Sequence, residues 1–166
     1  MKIGILSDTH NNQKNLLAAL DLFKSRQVDT LIHCGDFTGA DIVPLFQGFH
    51  VISVFGNGDI ASGEIRAALL NLNPENYAGM VYTGRIDGAR IAVTHGHVPG
   101  QVDELVHSGQ YDYVFKGHSH QHKVERYNFT RLINPGALGG LHREDRQICL
   151  LDLYSGKADF IKISTD

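Results

Sequence analysis

The stretch Lys2-Ile3-Gly4-Ile5-Leu6-Ser7-Asp8-Thr9-His10 decides the reading of this chain. Its apolar run is short and breaks into polar residues at Ser7. It reads as a buried strand over residues 2–7 that delivers a carboxylate and an imidazole just past its carboxyl end. Residues 13–25 then place Leu16, Leu17, Leu20 and Phe23 at helical spacing, with Asn11 or Asn12 available as a cap. The alternation continues as a strand over 29–34, a short helix over 40–47, a strand over 50–55 and a helix over 62–71.

Working outward, the second half is richer in strands. Residues 79–94 read as a hairpin turning at Asp87-Gly88, a strong turn dipeptide. A helix is expected over 100–108, and strands over 112–116, 121–127, 130–133, 146–154 and 157–163. The pattern is α/β, with a parallel first half and an antiparallel second half, in one domain spanning 1–166.

Bulk properties exclude several function classes. The net charge is -3 and the Lys and Arg residues are scattered, so no basic stripe exists for tight nucleic-acid binding. Cys34 and Cys149 form no CxxC pair, which fits a reducing, cytoplasmic setting. The first apolar run ends too early for a secretory signal, and no stretch approaches a membrane span. Ten histidines are the one compositional oddity, and histidine is the commonest metal ligand.

Five short motifs fall at the ends of expected strands: Asp8-Thr9-His10, Gly35-Asp36, Gly56-Asn57-Gly58-Asp59, Thr94-His95-Gly96-His97 and Gly117-His118-Ser119-His120. Ligands of α/β proteins bind outside the carboxyl ends of strands. In extended chain, residues i and i+2 face one side, so Asp8 with His10, and His118 with His120, are expected to converge. Gly35, Gly56 and Gly117 permit a close backbone approach where each strand ends. The candidate set holds carboxylates, imidazoles and an amide but no thiolate, which suits Mn, Fe, Zn or Ni better than Mg or Ca. Seven candidates exceed the needs of one ion. Two ions roughly 3.5–4 Å apart, sharing a carboxylate and a bridging water, would use them. The charge left after two carboxylates and a hydroxide is slightly positive, which suits a singly charged phosphodiester.

In this order the motifs resemble the calcineurin-like metallophosphoesterase superfamily, and within it the small single-domain bacterial and archaeal phosphodiesterases. These are related to the metallophosphoesterase-fold subunit of the retromer coat. The resemblance implies a four-layer fold, two mixed β-sheets sandwiched between helices. It implies that Asp8, His10, Asp36 and His120 hold one metal, and that Asp36, Asn57, His95 and His118 hold the other, with Asp36 bridging. It further implies a phosphodiesterase using two divalent transition-metal ions, manganese first, with nickel, zinc or iron as alternatives. The attacking group would be a metal-bridging hydroxide. One departure stands out. Many members carry histidine where this chain has Gly58, and that histidine protonates the leaving group or contacts the phosphate. Either His97 takes over as acid, or the enzyme favours diesters with good leaving groups. Catalytic roles therefore fall to Asp36, Asn57, His95 and His97. The alternative is a protein-binding scaffold on the same fold.

Further expectations concern the surroundings. His33 is expected to buttress Asp36 or the core, and Asp59 to fix the Asn57 turn. Asn11 or Asn12 could face phosphate if not used as a cap. His50, His107, His122 and His142 are assigned to surface or packing, and Cys34 to the core. Arg143 and Arg146 are read as a solvated loop, with anion recruitment as the other reading. Leu72, Met80 and Tyr82 are candidates for the face of a homo-oligomer. The expected partner is a small phosphodiester substrate, with no membrane and no tight nucleic-acid binding.

Overall fold

The computed structural model describes residues 1–141 and 145–163. His142 and Arg143 lie outside the described residues. The order of elements is β1 (Lys2–Leu6), α1 (Gln13–Ser25), β2 (Thr30–His33), a 3-10 helix (Val43–Phe46), β3 (His50–Val54), α2 (Ser62–Leu72), β4 (Tyr77–Gly79), β5 (Val81–Ile86), β6 (Ala89–Thr94), α3 (Gln101–His107), β7 (Tyr113–Phe115), β8 (Lys123–Tyr127), β9 (Thr130–Asn134), β10 (Gln147–Asp152) and β11 (Ala158–Lys162).

The strands form two sheets, ordered β11-β10-β1-β2-β3-β4 and β5-β6-β7-β9-β8. Both are mixed. β1 through β4 pair in parallel, and β10 and β11 return antiparallel beside β1. In the second sheet β6, β7 and β9 are parallel neighbours. The expected antiparallel second half is therefore corrected. Strand period reports which face is buried, not the direction of the neighbouring strand, and α3 supplies the crossover that makes β6 and β7 parallel. The 79–94 hairpin is also shorter than expected. Tyr77–Gly79 belongs to the first sheet, and the chain changes sheets at Met80. Its turn is as expected, with Asp87 and Gly88 both at positive φ (48° and 85°).

Alternation along the strands builds the layers. Ile3 and Ile5 face the second sheet and pack with Ile32, Ile52, Ile91, Val93, Phe115 and Ile133. Leu6, Leu31 and Val51 face the other way, against Leu16, Ala19, Leu20 and Phe23 of α1 and Ile65 and Leu69 of α2. Ala92, Val114 and Leu132 on the outer face of the second sheet meet Val106 of α3. The result is helix, sheet, sheet, helix. Gly4 lets α1 sit down on the first sheet, since a Cβ there would lie 2.6 Å from both Leu31 and Phe23. Leu72 is half-buried against the first core, while Met80 is exposed. No helix among the described residues is long and apolar enough to cross a membrane.

Candidate metal centre

The parallel strands end together, and the loops that follow continue their pairing. Asp8 N–H donates to the Gly35 carbonyl (2.9 Å), His10 N–H to Asp36 (3.0 Å) and Asn11 N–H to Phe37 (3.0 Å). On the other side, Gly139 N–H donates to the Asp8 carbonyl at 2.7 Å, and Gly117 N–H to the His95 carbonyl at 3.1 Å. Loops from both sheets are thus stitched around one point.

Convergence does not come from extended alternation, as the spacing alone suggests. Asp8, His10, Asn11, Asp36, Thr38, His118 and His120 all have positive φ, between 45° and 71°. They make up seven of the ten such non-glycine residues among those described. Each costs on the order of 1–3 kcal/mol, a strain that the surrounding bonds must hold. Three glycines permit the close approaches. A Cβ on Gly117 would lie 1.9 Å from Ser7 Oγ, and one on Gly56 would lie 2.0 Å from Asp36 Oδ1. Gly35 combines φ +99° with a Cβ position 2.6 Å from His95 Nδ1.

Two clusters result. Asp8, His10 and His120 bring one ligand atom each within 4.8 Å of one another, and so do Asp8, Asp36 and His95. Asp8 Oδ1 lies 3.2 Å from His120 Nε2 and 4.0 Å from His95 Nε2. Asp36 Oδ2 lies 3.7 Å from His10 Nε2 and 3.6 Å from His95 Nε2. His10 Nε2 and His120 Nε2 are 3.3 Å apart.

Each carboxylate spends one oxygen on the protein and aims the other inward. Asp8 Oδ2 accepts from Ser7 Oγ (2.5 Å) and from His118 N–H (3.1 Å). Asp36 Oδ1 accepts from Gly58 N–H at 2.7 Å. The remaining atoms test whether a cation belongs here. Asp8 Oδ1 and His95 Nε2 are buried with no hydrogen-bond partner. His95 Nδ1 donates to the Cys34 carbonyl at 2.7 Å, which leaves the Nε2 lone pair facing the centre. Orphaned acceptors of this kind are costly unless an ion satisfies them, so the residues fit a metal centre.

Electrostatics agree. Burial pushes the Asp8 carboxyl up, but the adjacent His120 imidazole, the Ser7 hydroxyl and the nearby His95 hold it below its ordinary value. Partial desolvation, then the charge of His95, keeps His118 below the usual histidine value. His118 is exposed at the rim, its ring 5.1 Å from that of His95. His10, Asp36, Asn57, His118 and His120 line a cavity of about 670 Å³ together with Asn12, Thr38, Gly140 and Leu141. Asn57 is exposed on its wall and does not have positive φ. His97 is not among the lining residues. Its ring stands 5.4 Å from His95 and 6.4 Å from His118, and its Nδ1 is buried without a partner.

The support residues have defined jobs. His33 is buried, with burial holding it down to about pKa 3, so it is neutral. Its Nδ1 accepts from Gly35 N–H (3.2 Å), and its Nε2–H therefore donates to Thr9 Oγ1 (2.7 Å). It braces both acidic loops, as expected of a buttress. Asn12 caps α1 by accepting from Asn15 N–H, and Asn11 donates to Asp41. Arg146 is neither a solvated loop residue nor a free anion site, because it donates to the carbonyls of Gly139 and Gly140. The sequence reading missed the roles of Ser7, the Cys34 carbonyl, Thr38 and the Gly139-Gly140 loop. Only the Gly-Gly pair left a local signal, as a turn.

Residues 1–156 match the calcineurin-like phosphoesterase superfamily domain. A phosphodiesterase of Methanocaldococcus jannaschii is 34% identical over 142 residues, covering 84% of this chain and 86% of that protein. A solved structure, characterised as a novel archaeal phosphodiesterase, superposes with a TM-score of 0.93 at 32% identity, covering 98% of this chain and 99% of that one. Zinc-complexed Vps29 of Entamoeba histolytica, 15% identical with a TM-score of 0.65 over 99% of this chain and 100% of that one, shares the fold alone. The chain belongs to the calcineurin-like phosphoesterase superfamily.

Proposed function

We propose that this metal-dependent phosphoesterase hydrolyses phosphodiesters at a centre for two divalent cations, within a single functional domain spanning 1–166. The observation that carries the reading is the inward pair of unpartnered acceptors, Asp8 Oδ1 and His95 Nε2, among the His10, Asp36 and His120 side chains. Asp8, His10, Asp36 and His120 would hold one cation. Asp36, Asn57, His95 and His118 would hold the other, with Asp36 Oδ2 facing both groups. Bound there, divalent transition-metal ions, manganese first and nickel, zinc or iron as alternatives, neutralise phosphate charge and supply hydroxide at neutral pH.

The chain's own residues do the rest. Thr38 and Asn57 present polar groups on the cavity wall to the phosphate oxygens. No Lys or Arg lines the cavity among the described residues, which supports a small, singly charged diester over a polyanion. His97 is assigned as proton donor to the leaving group in place of the residue missing at Gly58, on the strength of its unpartnered Nδ1 beside His95. Gly58 itself keeps the backbone against Asp36, where a Cβ would lie 3.0 Å from Oδ1. Two free, buried cysteines support a cytoplasmic setting.

The test is hydrolysis of bis-p-nitrophenyl phosphate against the monoester, in chelator-stripped protein with Mn, Ni, Zn or Mg restored and Asp36→Asn as control. Metal-restored diester cleavage that the variant lacks is the expected result. A folded protein that binds two ions yet turns over no diester with any metal would overturn the enzyme reading in favour of a binding scaffold. If His97→Ala leaves the rate on diesters with poor leaving groups unchanged, His97 is not the acid.

A further inference from the structure

Two of the candidate metal ligands, His118 and His120, follow Phe115, the last residue of β7. At the other end of that strand, where Tyr113 begins it, lies a slot of about 320 Å³. The slot is closed on one side by the β8–β9 hairpin and on the other by the turn between β10 and β11, with Arg126, Phe129, Arg131 and Tyr154 on its walls. Its size falls at the lower end for small-molecule sites.

Arg126 and Arg131 are direct cross-strand partners, so both leave the same face of the sheet. Like charges directly opposite destabilise a strand pair unless something lies between them. Arg131 is anchored, donating to the Gly156 carbonyl and lying over the Tyr113 ring with 5.8 Å to its centroid. Arg126 is exposed, and its guanidinium has neither a hydrogen-bond nor an ion-pair partner among the described residues. The nearby carboxylate does not compensate. Asp112 is gripped by Arg90 through bonds of 3.2 and 2.7 Å. Two guanidiniums, Arg126 and Arg131, and one carboxylate already held by Arg90 therefore line the slot, in a chain whose net charge is -3. Flanking them, Phe129 is 57% exposed, with the Arg90 guanidinium 5.9 Å from its ring centroid, and Tyr154 is 94% exposed. Exposed aromatic rings beside an unpaired guanidinium are what a stacked, anionic ligand requires.

We propose that this slot is a second binding site, distinct from the metal centre, for a ligand of nucleotide class: one aromatic ring carrying a phosphomonoester. The ring stacks on Tyr154, with Phe129 beside it. The phosphate lies on Arg126 with Arg131 behind it, relieving the cross-strand repulsion.

The experiment is calorimetric titration of the full chain with adenosine 5′-monophosphate, with and without chelator, beside titrations with adenosine and inorganic phosphate. Both Arg126 and Tyr154 are exposed, so Arg126→Gln and Tyr154→Ala leave the fold intact. Binding that survives chelation and Asp36→Asn, and that either slot variant weakens about tenfold, is expected. Adenosine and phosphate alone should each bind more weakly than the nucleotide. The proposal is overturned if the chelated protein does not bind the nucleotide, if the slot variants bind it unchanged, or if inorganic phosphate binds as tightly.

Discussion

The backbone N–H of Asp36 donates to the carboxylate of Asp59 at 2.9 Å, although the two residues sit on loops after different strands. The same carboxylate accepts from Gly56 N–H (2.8 Å) and Thr38 N–H (2.8 Å). Asp59 thus sets the position of Asp36 relative to the loop that carries Asn57. Asp59→Ala strands three backbone donors. It is expected to cost about 2–4 kcal/mol of stability and to lower metal affinity about tenfold or more. Asp59→Asn keeps one acceptor and should recover part of both. Denaturant titration and metal titration of the two variants check this.

His33 gives a pH dependence whose sign is fixed. Its folded pKa is depressed to about 3, whereas the unfolded chain titrates near 6.5. Between those values only the unfolded state takes the proton. The stability that neutral His33 contributes is therefore intact above pH 6.5 and falls away as pH drops toward 3. By pH 5 the loss from this group is about 2 kcal/mol. His33→Asn retains an acceptor for Gly35 N–H but does not titrate. Its stability should fall less than that of the parent between pH 7 and pH 5, measured by urea unfolding. Equal falls would show that His33 is not the group responsible.

Glycine substitutions should split into two kinds. Gly56→Ala and Gly117→Ala drive a Cβ into Asp36 Oδ1 and Ser7 Oγ, so both should abolish metal-dependent activity and lower the melting temperature. Gly63→Ala, in α2 with open space around it, should instead stabilise by about 0.5 kcal/mol. Thermal melts of the three variants give the comparison directly.

Metal removal should loosen the protein, because the inward carboxylate oxygens and imidazole nitrogens lose their only common partner. Metal at about 100 times its Kd adds about 2.7 kcal/mol. For a domain of this size that raises Tm by roughly 5–10 °C. Asp8→Asn should lose most of the increment, as scanning fluorimetry with and without chelator would show.

Both thiols should be inert in the folded state. Burial pushes Cys149 up to about 12 and Cys34 well above its ordinary value. Iodoacetamide at pH 8 is expected to label neither until denaturant is added, and then both. Labelling of Cys34 in native protein would mean that the β2 end opens beneath the metal centre.

Much of the fold and of the metal centre is legible in the amino-acid sequence alone. The short apolar run from Ile3 to Leu6 and the helical spacing of Leu16, Leu20 and Phe23 are local signals, and the elements fall where those signals put them. The ligand motifs are legible because each lies at a strand end. The direction of β7 and β9, the return of β10 to the side of β1, and the change of sheets at Met80 left no local mark, since hydrogen-bond partners along a strand are chosen by the rest of the chain.

The sequence by itself determined which candidate ligands the chain offers, because ligand type and strand-end position are properties of neighbouring residues. Only the tertiary structure decided how they meet. Asp8, His10, His118 and His120 are turned inward by left-handed backbone that extended spacing would not foretell. The strain at Asp8 and His10 is held by long-range bonds to Gly35, Asp36 and Gly139, and that at His118 by its N–H on Asp8, partners that lie far away in the chain and become neighbours only once both sheets have closed.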